Sequence, residues 1–160
     1  MVDAFGEPRV LDFGLGKVVS DDGDDSLATM SGRFMGTPAW SSPEQASAHT
    51  GLVDTRTDVY GLGLLLYHLL TGRLPYATDG PLGEVCAQVQ EATPVRPSAH
   101  RRGIDEDLEA IILNALEKDR DRRYETAGAM ARDLRRYRAG QPVEATSITF
   151  GYLLRRQIRR

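Results

Sequence analysis

Residues 54–76 read "DTRTDVYGLGLLLYHLLTGRLPY", and from Val59 to Leu70 the stretch is apolar almost all round. A helix without a polar face belongs in a core, with other elements packed on every side. Gly72 follows where a helix C-terminus favours glycine. The run is too short, and too interrupted by Gly61, Gly63 and His68, to cross a bilayer. The fold is therefore expected to be mainly α, built around this segment.

Downstream, the spacing gives three more helices. Pro81 to about Glu91 has proline near its first turn, with Thr78 and Asp79 as candidate caps. Asp105 to about Lys118 opens with acids and carries Leu108, Ile111, Ile112, Ala115 and Leu116 on one face. Thr126 to Arg138 sets Ala127, Met130, Ala131, Leu134 and Tyr137 opposite a row of arginines, with Gly140 just beyond. The tail from 140 to 160 starts at a Pro-containing break and ends "LLRRQIRR", a short basic amphipathic stretch. Upstream, Met1-Val2 and Arg9-Val10-Leu11 flank a Gly6-Glu7-Pro8 turn and read as a short β-hairpin. From Gly14 to about Gln45 nothing is periodic, and loops of that length in a compact domain are usually functional or disordered.

The bulk properties are those of a soluble globular domain: 160 residues, 41% hydrophobic, 27% charged, net charge −3. Such a balance gives no case for nucleic-acid binding. The one cysteine, Cys86, excludes an intrachain disulfide and fits a reducing, cytoplasmic setting; its place on an apolar helix face points to a buried, inert thiol. His49, His68 and His100 have no metal-ligand spacing. No basic-then-apolar leader is evident, and membrane contact is expected only through the basic tail.

Four motifs fall in one order: "LDFGLGK" (11–17), "GTPAWSSPEQ" (36–45), the helix segment 54–76 and "EKDRDRRY" (117–124). The series resembles the C-terminal lobe of protein kinases, specifically the bacterial eukaryotic-like (Hanks-type) serine/threonine kinases, over residues 1–139. The resemblance implies a mainly α kinase-like lobe with a long activation loop from about Leu15 to Ser42. It implies that Asp12 is the metal ligand, holding Mg²⁺ against the phosphates of ATP, with Phe13 and Gly14 as its packing and hinge neighbours. Thr29 and Ser31 fall where relatives are phosphorylated, and a phosphate there would order the loop by pairing with arginine. Gly36, Thr37 and Pro38 match the substrate-positioning loop, with threonine as the serine/threonine-kinase choice. The resemblance also implies that Glu44 pairs with Arg123, and that Asp58 hydrogen-bonds the backbone of a catalytic loop.

Other parts of that apparatus have no match in the 160 residues. Phosphoryl transfer in this family needs a catalytic aspartate and a metal-binding asparagine in a motif like H-R-D-x-x-x-x-N. It also needs a glycine-rich phosphate loop and a strand lysine. The one asparagine is Asn114, and the two lysines, Lys17 and Lys118, both follow Asp12. "AHRRG" (99–103) lacks the aspartate, and "GLGKVV" (14–19) lacks the glycine spacing. The expectation is therefore a partial kinase domain, a transferase by family, without a catalytic residue of its own and binding neither ATP nor Mg²⁺ tightly. Its partners would be a protein substrate or a partner kinase. The alternative is a non-catalytic docking module using the groove beside 34–45 and 81–92. Either way, exposed apolar surface is expected near 1–14 and 58–66, with marginal folding or oligomerisation.

Overall fold

The computed structural model describes residues 5–7, 38–47 and 53–145. The chain divides into two compact units, residues 1–33 and 34–160. Of the first, the described part is a turn at Phe5–Glu7, where Gly6 takes φ 81°, the left-handed region that favours glycine. The strands of the expected hairpin lie outside the described residues, among which there is no strand.

The second unit is helical. A 3₁₀ turn at Pro38–Trp40 leads into α1 (Pro43–Ala46). Then come α2 (Thr55–Thr71), α3 (Leu82–Glu91), α4 (Pro97–His100), α5 (Glu106–Ala115) and α6 (Ala127–Arg138), with a second 3₁₀ turn at Arg120–Arg122. Side-chain caps set most of the starts. Asp54 accepts from the Arg56 N–H, Asp105 from Asp107 and Thr126 from Ala129. Gly72, at φ 68°, stops α2 with its N–H on the His68 carbonyl. α3 differs from the expectation: it starts at Leu82 after Pro81, and neither Thr78 nor Asp79 caps it.

α2 is the axis of this unit and packs on α4, α5 and α6. Two apolar clusters meet along it. Val59 joins Ala110, Ile111, Ala115, Tyr124 and Met130 on one side. Tyr60, Leu64 and Tyr67 join Tyr76, Val89, Ile112 and Leu116 on the other. Gly63 lets α5 come close: a Cβ there would stand 2.9 Å from the Ala115 Cβ and 3.2 Å from Leu116 Cδ2. Val143 and Ala145, beyond α6, are buried in the first cluster.

Two expectations need correction. α2 is not packed on every side. Leu62, Leu65 and Leu69, spaced three and four apart, form an exposed stripe at 41%, 46% and 70% exposure. α4, α5 and α6 pack on other faces of α2, and among the described residues no element covers this one. Leu62 and Leu65 do fall within 58–66, where exposed apolar surface is expected. Cys86 is half-buried rather than buried, because α3 turns only Val85 and Val89 fully inward.

Candidate functional site

The tetrapeptide Ser42-Pro43-Glu44-Gln45 sets up its own short helix. The Ser42 hydroxyl accepts from the Gln45 N–H (3.3 Å), and Gln45 Oε1 accepts from the Ser42 N–H (2.9 Å), a reciprocal cap. Pro43 sits at the first helical position, where its missing N–H is no loss. α1 so formed holds Glu44 facing inward.

Glu44 meets Arg123 fork to fork. Nη1 donates to Oε1 and Nη2 to Oε2, each at 2.8 Å, with the Arg123 side chain 0% and the Glu44 side chain 6% exposed. Thr57, from the first turn of α2, donates to the same Oε1 at 2.8 Å. The rest of the guanidinium is used on backbone. Nε donates to the Glu117 carbonyl, Nη1 to Arg56 and Nη2 to Lys118, at 2.8, 3.2 and 3.2 Å. Arg123 thus places its full set of N–H donors on acceptors. The Tyr60 ring lies 4.8 Å from the guanidinium carbon.

The electrostatics follow. Burial by itself pushes the Glu44 carboxyl up, but the hydrogen bonds and charge of Arg123, with help from Thr57, outweigh it and hold the group at about 2. A cluster with every donor committed has nothing free to act on a substrate. Its effect is mechanical: it ties α1, the start of α2 and the turn after α5 into one piece. Just upstream, Pro38 opens the 3₁₀ turn, and Trp40 packs edge-on against His68 with ring centroids 5.3 Å apart.

Of the other sequence-derived site residues, Asp58 stands exposed on the first turn of α2, without a hydrogen bond or ion pair to any described residue. Asp12, Phe13, Gly14, Thr29, Ser31, Gly36 and Thr37 lie outside the described residues. Among those described, no group of three or more His, Cys, Asp or Glu could hold a metal ion.

Asp133 is a buried group that periodicity does not single out. At 2% exposure it accepts from the Tyr124 hydroxyl (2.8 Å) and from the N–H groups of Glu144 (2.8 Å) and Ala145 (3.0 Å). The available signal is an acid three residues after Met130 and four before Tyr137, hence on the apolar face of α6.

A buried carboxylate–guanidinium clamp thus joins a Ser-Pro-Glu helix to the turn after α5, beside a central apolar helix. The family model for the protein kinase domain matches residues 1–134. The chain therefore belongs to the protein kinase family, in its bacterial PknB-like serine/threonine branch. It is 39% identical over 148 residues to the serine/threonine-protein kinase PknB of Mycobacterium tuberculosis, covering 92% of this chain and 23% of that protein. A probable serine/threonine-protein kinase of Streptomyces coelicolor, SCO3848, is 39% identical over 147 residues, with 92% and 21% covered. A probable PknB of Bifidobacterium longum is 40% identical over 149 residues, with 91% and 20% covered. The chain spans about a fifth of the length of these curated relatives. Among the described residues no helix is long and apolar enough to cross a membrane.

Proposed function

We propose that these residues form the substrate-side lobe of an ATP-dependent protein kinase that phosphorylates serine or threonine hydroxyls on cytoplasmic protein substrates. One observation carries the reading beyond the family match: the Glu44–Arg123 clamp roots the segment that follows Gly36-Thr37-Pro38 on the helical lobe. A loop that positions a peptide needs a fixed far end, and the clamp supplies it. In this reading Asp12 holds magnesium, which when bound neutralises the phosphates of ATP. Phe13 and Gly14 set the orientation of Asp12, and Thr29 and Ser31 are the phosphorylation sites of the activation loop. Asp58 fixes the backbone of a catalytic loop.

The 160 residues contain no match to the catalytic aspartate or the nucleotide lysine, so by themselves they neither bind ATP tightly nor transfer its phosphoryl group. Two experiments test the proposal. Calorimetry of the purified chain with ATP and Mg²⁺ is expected to show no binding; Mg²⁺-dependent binding abolished by Asp12→Ala would overturn the second half. Replacing the matching segment of M. tuberculosis PknB with residues 1–139 is expected to give a chimaera that phosphorylates a protein substrate, and Asp12→Ala in it should abolish transfer. A folded chimaera with no activity would count against the first half.

A further inference from the structure

Charge is unevenly divided along the chain. From Thr126 to Arg160 there are eight arginines and two acids, whereas residues 1–125 hold 12 basic and 21 acidic side chains. Both acids of the basic part are committed. Asp133 is buried and accepts from the Tyr124 hydroxyl and two backbone N–H groups, and Glu144 pairs with Arg136 at 2.8 Å. α6 turns Met130, Asp133, Leu134 and Tyr137 towards the lobe, so Arg132 and Arg135 fall on the opposite side, with Arg138 beside them in the last turn. All three are exposed, and none has an ion pair or side-chain hydrogen bond among the described residues. The chain then doubles back. Gly140, at φ 65°, reverses it, the Gln141 N–H bonds the Arg136 carbonyl at 2.9 Å, and the Ala145 N–H reaches Asp133 at 3.0 Å. Residues 146–160 therefore start beside the middle of α6, next to its arginine face. By sequence they carry Arg155, Arg156, Arg159 and Arg160 interleaved with Leu153, Leu154 and Ile158. The chain from Ala145 to Arg155 can reach at most about 35 Å, and α6 is about 18 Å long, so one flat surface can meet both sets of arginines.

We propose that the exposed face of α6 and the segment that follows it form one docking surface for a bilayer containing anionic phospholipid. Arg132, Arg135 and Arg138 lie against headgroup phosphates, and Leu153, Leu154 and Ile158 enter the acyl boundary. The apolar residues decide between polyanions. A nucleic acid offers arginine the same phosphates, but gives leucine and isoleucine nothing to enter. The acidic remainder of the lobe is repelled by the same surface, which orients the protein with α6 towards it. A short apolar segment holds a bilayer only weakly, and a basic patch alone does the same; joined on one face, the two act together. None of these arginines belongs to the four motifs that carry the catalytic reading.

The full chain is sedimented with vesicles of phosphatidylcholine alone and with vesicles of phosphatidylcholine mixed with phosphatidylserine, at low and high salt. Binding is expected to the anionic vesicles only, and to weaken as salt rises. Replacing the three arginines together (Arg132→Gln, Arg135→Gln, Arg138→Gln) is expected to remove about fivefold per arginine, about a hundredfold in all, with helix content by circular dichroism unchanged. The matching variant with lysine at the same three positions should keep most of the affinity, because a bilayer responds to charge rather than to a guanidinium fork. Unchanged binding by the glutamine variant would leave the tail as the sole contact and overturn the proposal. So would an equal loss in the lysine variant, equal binding to phosphatidylcholine alone, or no binding to the anionic vesicles. Tighter binding to duplex DNA or to polyglutamate than to the anionic vesicles at the same salt would assign the face to another polyanion, and overturn it too.

Discussion

Glu44 and Arg123, 79 residues apart, join through two parallel 2.8 Å hydrogen bonds with both side chains almost fully buried. A pair so buried is more informative broken than counted, because removing one partner leaves the other charged and unpaired. Arg123→Ala is expected to lower stability by about 3–5 kcal/mol, read as a fall in urea midpoint. Arg123→Lys should recover little, since an ammonium has three donors in place of a planar fork. The double variant Glu44→Leu/Arg123→Met should be milder than Arg123→Ala, because it removes both charges. Equal costs for all three would mean that the pair is not coupled.

The same carboxylate sets an acid limit. Its folded value is about 2 and its ordinary value 4.5, so its contribution is complete above 4.5 and is lost as pH falls towards 2. Glu44→Gln should start less stable at neutral pH and show a shallower decline between pH 4.5 and 2. Urea midpoints at several pH values would check this; parallel curves for the two proteins would refute it.

The alkaline limit has the opposite sign. Burial pushes the Tyr60 and Tyr67 hydroxyls up to about 12, and Tyr76 and Tyr124 higher, from an ordinary 10.0. Groups raised on folding contribute stability that is complete below 10.0 and is lost as pH rises through the folded values. Tyrosinate absorbance from these four should therefore appear together with loss of helix by circular dichroism. Ionisation of all six tyrosines of the chain near 10, with the fold intact, would contradict their burial.

Where the sequence was legible, local chemistry explains why. Asp105, Thr126, Gly72 and Gly140 mark helix ends, because caps act on their own neighbours. α1 and α4, with four residues each, are too short to show a period. The open face of α2 was not legible from its own residues. Leu62 and Leu65 look like Leu64 in sequence, and only neighbouring elements decide which of them is covered. The Glu44–Arg123 contact came from family resemblance alone, since no periodicity links residues 79 apart.

Gly61 and Gly63 both lie in α2, yet only Gly63 faces a neighbouring element. A Cβ at Gly61 would meet nothing within 4 Å, whereas at Gly63 it would run into the Cβ of Ala115. Gly61→Ala is expected to stabilise by about 0.5–1 kcal/mol through helix propensity. Gly63→Ala has the same propensity gain, but Ala115 has no flexible side chain to move aside, so α2 and α5 must separate. Net destabilisation by about 1–3 kcal/mol is expected. Thermal melts of the two variants should shift in opposite directions, and a shared upward shift would show that the helices are not in close contact.

Asp133 governs how the chain continues past α6. Its carboxylate gathers the Tyr124 hydroxyl and two backbone N–H groups, and holds Val143 and Ala145 in the core. Asp133→Ala leaves these donors without their acceptor, at a cost of about 1–3 kcal/mol for each group that stays buried. Asp133→Asn keeps the shape but has one acceptor oxygen for three donors, so it should rescue only part. The loss should be local as well as global: hydrogen exchange at Glu144 and Ala145 is expected to accelerate more than at Ile111, in the centre of α5. For the same reason a chain cut after Ala139 should be less stable than one cut after Ala145. Equal stability of the two truncations, with unchanged exchange in Asp133→Ala, would show that residues 140–145 contribute nothing to the lobe.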